Sequence, residues 1–176
     1  MQILAGTSKG VFAIDPDGAR QTLESRGVRE LVVQADRVFA GTGAGLFASD
    51  DGGESWIPSG LDDREVWQIR ADSDGVLYAG TQPAGLFRSS DRGCSWQSID
   101  TFNEVPDAAD WCIPVDPPLP GRARALVVDR TNPDRLWVGV EVGGILQTSD
   151  AGASWHTVLP GDNPDLHMMV SHPEHP

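Results

Sequence analysis

Ser89-Ser90-Asp91-Arg92-Gly93-Cys94-Ser95-Trp96, near the middle of the chain, is the stretch whose reading decides the fold. It recurs as Ser49-Asp50-Asp51-Gly52-Gly53-Glu54-Ser55-Trp56 and as Thr148-Ser149-Asp150-Ala151-Gly152-Ala153-Ser154-Trp155. Five positions are fixed in all three, giving [S/T]-x-D-x-G-x-S-W, and each copy follows an apolar pair: Leu46-Phe47, Leu86-Phe87 or Ile145-Leu146. Such recurrence marks a repeat architecture, to be recognised before any residue is read alone.

Aligning the copies exposes a larger unit of four short apolar stretches. They are separated by Asp-Arg, Asp-Ser-Asp-Gly or Asn-Pro-Asp-Arg turns, then a Gly-rich bend, then the Asp-x-Gly turn. Lengths of four to six residues with β-branched and aromatic enrichment predict strands. No sustained 3.6-residue apolar period predicts a substantial helix. Four-stranded units of roughly 40 residues are blades of a β-propeller. The expectation is one all-β domain over 1-176, with units at about 1-27, 28-61, 64-100 and 123-160, the start of a further unit at 165-176, and an inserted loop at 101-122.

The first unit has lost its first strand and most of its signature, keeping only Gly18 at the position of Gly53. The tail Asp165-Leu166-His167-Met168-Met169-Val170-Ser171 reads as a lone first strand. Two arrangements follow. The tail strand completes the first unit and closes a four-bladed monomeric ring, or the chain is the front of a longer propeller whose remaining blades are its partner. Pro173-Glu174-His175-Pro176 repeats the turn at Asn132-Pro133-Asp134-Arg135, which favours the second.

The repeated octapeptide resembles the Asp box, or BNR repeat. That motif occurs in sialidases, sortilin-type receptors, oligoxyloglucan-cleaving glycosidases and photosystem II assembly factors. In texture the chain is most similar to bacterial BNR-repeat propellers described as glycosyl hydrolases. The resemblance implies that each box is a hairpin between third and fourth strands, away from any catalytic site. The residues agree: an Asp two before a Gly accepts backbone N–H groups in a tight turn, the Ser or Thr adds a local bond, and the Trp packs on neighbouring strands. Ser49, Asp51, Gly53, Trp56, Ser89, Asp91, Gly93, Trp96, Thr148, Asp150, Gly152 and Trp155 are therefore expected to be structural.

Composition narrows function. A net charge of −13, with twelve Arg and Lys9 in no basic cluster, argues against a nucleic-acid partner. No signal peptide or membrane-spanning stretch is apparent, so a cytoplasmic location and no membrane partner are expected. Cys94 and Cys112 are expected as free thiols. Asp15-Pro16-Asp17-Gly18 and Asp72-Ser73-Asp74-Gly75 lack the downstream Glu of a calcium loop and read as turns. His167, His172 and His175 cluster near the C-terminus, but the His172-Pro173-Glu174-His175 spacing on an extended segment has no supporting third ligand nearby, so no metal or cofactor is expected.

The site candidates lie on the insertion and beside it. Trp111, as an aromatic anchor among Asp107 and Asp110, is the pattern of a sugar site; Glu141 adds a polar contact, and Arg122 and Arg124 an anion-binding edge. Against this stands a plainer reading, in which Trp111 plugs the insertion's own small core. The expected function is a non-enzymatic binding or scaffold module for a glycan, small-molecule or protein ligand on the insertion-bearing face. The alternative is a xyloglucanase-like glycoside hydrolase using loop carboxylates. A sialidase is disfavoured: there is no Arg-Ile-Pro motif, and the one tyrosine, Tyr78, aligns with Phe39 and Trp137 in second strands.

Overall fold

The computed structural model describes residues 2–160 and 165–172; the expected turn at 173–176 lies outside them. The first sheet is β1 (Ile3–Thr7), β2 (Gly10–Asp15) and β3 (Gly18–Glu24). The second is β4 (Val28–Gln34), β5 (Arg37–Thr42), β6 (Gly45–Ser49) and β7 (Ile57–Pro58). The third is β8 (Glu65–Ala71), β9 (Leu77–Gln82), β10 (Gly85–Ser89) and β11 (Gln97–Ser98). A small hairpin, β12 (Cys112–Ile113) with β13 (Leu119–Pro120), lies in the insertion. The last sheet is β14 (Arg122–Val128), β15 (Leu136–Glu141), β16 (Gly144–Thr148) and β17 (His156–Leu159). Each sheet is an antiparallel meander, and β1 packs on β4, β4 on β8 and β8 on β14. These are propeller blades. The only helical turns among the described residues are two short 3-10 segments in the insertion.

Each signature forms the same hairpin. In the second copy Ser89 Oγ donates to Asp91 Oδ1 (2.8 Å) and accepts from the Gly93 N–H (2.9 Å). Asp91 also accepts from the Ser95 N–H (2.9 Å) and Ser95 hydroxyl (2.5 Å). Equivalent bonds tie Ser49, Asp51, Gly53 and Ser55, and again Thr148, Asp150, Gly152 and Ser154. The Ser95 hydroxyl and then its N–H hold the Asp91 carboxyl down at about 2, and the Ser154 hydroxyl and Thr148 do the same for Asp150. Asp51 is lowered still further, foremost by the Ser55 hydroxyl.

Every box also leans on the unit before it. A Cβ at Gly53 would lie 2.6 Å from Leu4 Cδ1, and one at Gly93 would lie 2.7 Å from Phe39 Cε1. Leu4 and Phe39 are equivalent second-strand residues, so the hairpin of one blade closes the core of its predecessor. At the third box Ile99, just before the insertion, and the insertion's first residue take this place: a Cβ at Gly152 would lie 2.8 Å from Ile99 Cγ2, and the Gly152 carbonyl accepts from the Thr101 hydroxyl at 2.5 Å.

The tail is not a strand of the first sheet. That sheet stays three-stranded, and residues 165–171 belong to no sheet. Leu166 instead fills the notch over Gly139, where a Cβ would meet its Cδ2 at 1.9 Å. Val28, Val66 and Ala123, the starts of innermost strands, sit on Gly6, Gly41 and Gly80 in the same way. The tail therefore occupies the innermost-strand place of a further blade, and the four-bladed closure within one chain is not what the structure adopts.

Candidate functional site

The insertion is a packed cap. Residues Asp100–Asn103 and Pro106–Asp110 form the two 3-10 turns, and the hairpin returns the chain to β14. Its core is Phe102, which is fully buried, with the Trp111 ring 5.1 Å away and tilted and the Trp155 ring 5.4 Å away and edge-on. The Asn103 side-chain amide donates to the Ala84 carbonyl (2.9 Å), the Gln82 amide donates to the Pro120 carbonyl (2.9 Å), and Trp111 abuts Gly143. These contacts fix the cap on the loops joining second and third strands.

The six expected ligand-binding residues separate into two groups. Asp107, Asp110 and Trp111 come together with Cys112, Pro114, Val142, Gly143 and Pro160 around a pocket of about 390 Å³. Trp111 is only 8% exposed, so it offers this pocket an edge; its ring faces serve the cap's own core. Its indole N–H is buried and has no hydrogen-bond partner within the protein. Asp107 and Asp110 are exposed. A buried donor without an acceptor costs about 1–3 kcal/mol; the cavity lined by the rest of the Trp111 side chain is large enough for one ring of a small ligand.

Arg122, Arg124 and Glu141 belong to a separate cluster on the inner strands. Glu141 is buried and accepts from Arg122 (3.1 Å) and Arg124 (2.9 Å), while Arg122 Nε donates to the Gln82 side-chain oxygen. Both guanidiniums stand over the Trp67 ring, at 4.5 and 5.1 Å, and Arg29 joins them at 4.3 Å while pairing with Glu65. The cause is a repeated bulge. Pairing slips between Val28 and Glu30, between Val66 and Gln68, and between Ala123 and Ala125. The skipped residues are Arg29, Trp67 and Arg124, one from each innermost strand, and bulges of this kind re-aim side chains. The seating of Leu166 puts His167 in the same series. His167 pairs with Asp165 (3.0 Å), and both come within 4.8 Å of Glu141. Since Glu141 already answers two guanidiniums, this trio extends an ion-pair network and is a poor cation cage.

Sequence reasoning passed over Arg29 and Trp67 because strict alternation does not single them out. The signal was available as one column of the aligned first strands, Arg29, Trp67, Arg124 and His167, where the type is polar or aromatic beside an otherwise aliphatic run. On the same strands Glu30 clasps the neighbouring blade, accepting from the Ile69 N–H and from Arg70 (2.5 Å). Burial raises the Glu30 pKa, and Arg70 opposes the rise.

No family model matches the chain. It is 26% identical over 140 residues to a Neosartorya fischeri protein named "Probable oligoxyloglucan-reducing end-specific xyloglucanase", which covers 73% of this chain and 16% of that protein. The fold is similar to the GH74 xyloglucanase from Xanthomonas campestris, with a TM-score of 0.63, 17% identity, and coverage of 90% of this chain and 28% of that one. It is also similar to YCF48 bound to D1 peptide, with a TM-score of 0.58, 15% identity, and coverage of 93% and 52%. The chain thus spans about a sixth of the xyloglucanase and about half of YCF48, as part of a larger propeller.

Proposed function

We propose that this chain is a binding module that holds a neutral glycan in the pocket under the insertion. The observation that carries the reading is the pocket itself, walled by the edge of Trp111, with the carboxylates of Asp107 and Asp110 on its rim. A sugar fits this lining: its hydroxyl protons are donated to the two carboxylates, and its ring packs against the Trp111 edge. Charge-assisted bonds of this kind are among the stronger hydrogen bonds. The named xyloglucanases make xyloglucan oligosaccharide the first probe.

Titration by calorimetry or NMR tests the reading. Binding is expected for the wild-type chain, and Asp107→Asn or Asp110→Asn should weaken it about tenfold or more, each weakening one such bond. Equal affinity in all three proteins refutes the site. The similarity to a xyloglucanase also favours a second reading, hydrolysis by the loop carboxylates. Reducing-end release that disappears in both Asp107→Asn and Asp110→Asn would replace binding with catalysis.

A further inference from the structure

The loops joining second and third strands are variants of one turn, and the last departs from the pattern. Thr7, Thr42 and Thr81 stand at its start, opposite Gly10, Gly45 and Gly85. Each hydroxyl spans its turn: Thr7 donates to the Gly10 carbonyl (2.9 Å), Thr42 to the Gly45 carbonyl (2.9 Å) and Thr81 to the Pro83 carbonyl (2.8 Å). Val140, opposite Gly144, takes this place in the last blade and has no hydroxyl to give. Two residues on, Val142 adopts φ +61. The other described non-glycine residues of positive φ are Ala35, Leu61, Arg92 and Ala151, so Val142 is the β-branched one. A β-branched side chain in this region is an outlier, because its Cβ crowds the backbone there.

The conformation is imposed from both sides. Glu141 is buried and held by Arg122 (3.1 Å) and Arg124 (2.9 Å). Gly143 is wedged: a Cβ there would lie 2.6 Å from Val140 Cγ1 and 2.8 Å from Trp111 Cδ1, and its N–H donates to the Val140 carbonyl (2.9 Å). Backbone strain persists where its surroundings over-determine it, and it gathers at ligand clamps. Val142 is half-buried and lines the same pocket as Asp107, Asp110 and Trp111.

We propose that Val142 is a specificity-determining residue of this pocket, held in a strained turn so that its isopropyl group packs on the C–H face of the bound sugar. The inference rests on the glycan reading above and deepens it. Val142, Pro114 and Pro160 supply apolar lining, and Asp107 and Asp110 supply acceptors. Residues 100–121 carry five carboxylates, those of Asp100, Glu104, Asp107, Asp110 and Asp116, and no basic group. The ligand that matches is a neutral pyranose presenting C–H groups to one side and hydroxyls to the other. A uronate or sulfated sugar would meet uncompensated negative charge. The paired arginines of the inner strands serve the pocket from behind, because the carboxylate they hold is the residue before Val142.

The test titrates xyloglucan oligosaccharide into the wild-type, Val142→Asn, Val142→Ile and Asp110→Asn chains and takes a melting temperature for each. Asparagine accepts the left-handed region readily and removes the apolar surface. Val142→Asn should therefore melt about 2–4 °C higher and bind about fivefold or more weakly. Val142→Ile keeps both the strain and the apolar surface, and should bind within about twofold of wild type. A more stable protein that binds less well is the expected result, since a merely structural residue would lose stability and affinity together. Unchanged affinity in Val142→Asn, with Asp110→Asn weakened, overturns the inference and leaves the glycan reading standing. A lower melting temperature for Val142→Asn, or a Val142→Ile chain weakened as much as Val142→Asn, overturns it too. No binding by the wild-type chain sinks the glycan reading and this inference with it.

Discussion

Substituting Gly93 by Ala tests whether the boxes hold blades together or merely turn the chain. Gly93 has φ +81, and its added methyl would fall 2.7 Å from Phe39 Cε1 and 3.1 Å from Ser59 Oγ. Neither neighbour can yield cheaply: Phe39 is 1% exposed, and the Ser59 hydroxyl donates to the Gly93 carbonyl at 2.5 Å. An L side chain in the left-handed region costs about 1–2 kcal/mol, and overpacking a closed core adds about 1–3 kcal/mol, so the expected loss is roughly 2–5 kcal/mol. Gly52→Ala is the matched control, because Gly52 has φ +76 and nothing within 4 Å of its would-be Cβ. It should lose only the backbone share, about 1–2 kcal/mol. Equilibrium urea unfolding measures both, with the m-value checked for constancy. Equal midpoints for the two variants would refute the claim that the box closes the preceding blade.

Phe102→Ala should cost about 3–5 kcal/mol, as expected for a fully buried aromatic, and should expose Trp111 and Trp155 to acrylamide quenching; unchanged quenching would dissociate Phe102 from the cap's integrity. Trp96→Ala should cost about 3 kcal/mol, the low end for such deletions, because the ring is part-exposed although its N–H donates to the Ser59 carbonyl (2.8 Å); a melt within a degree of wild type contradicts the packing described. Asp91 and Asp150 sit near 2 when folded against about 3.9 unfolded. Their contribution is thus fully present above pH ~4 and is lost as pH falls toward 2. Asp91→Asn should flatten the dependence of melting temperature on pH in that window, and an unaltered slope would assign acid sensitivity elsewhere.

The blades were legible because they repeat. The motif ending at Trp56, Trp96 and Trp155 fixes the hairpin three times over, and the same alignment places Tyr78, which is 1% exposed, in the core. What alignment could not convey was which neighbour receives each surface. Trp111 has the composition of a ligand platform, but its ring packs on Phe102, which in turn meets Trp155, and only the folded cap shows that its N–H remains unmatched. Arg122 and Arg124 read as an anion-binding edge. A bulge, which changes the parity of a strand, instead turns Arg124 with Trp67 and Arg29 toward one another. The tail reads as a first-strand sequence, but where it lies was not legible: Leu166 sits in the notch at Gly139.

The backward lean of each box gives the array a direction in time as well as in space. Leu4 waits for Gly53 and Phe39 waits for Gly93, so each aromatic or aliphatic plug must be covered by chain about 50 residues downstream. At roughly 5–20 residues per second a ribosome needs about 3–10 s to deliver that cover. During synthesis every blade therefore emerges with one sticky flank, and the next blade shields it. A pause late in a unit would prolong the exposure of the unit already made, and translation speed through the segments upstream of each Ser-Trp would set how long chaperones have something to hold.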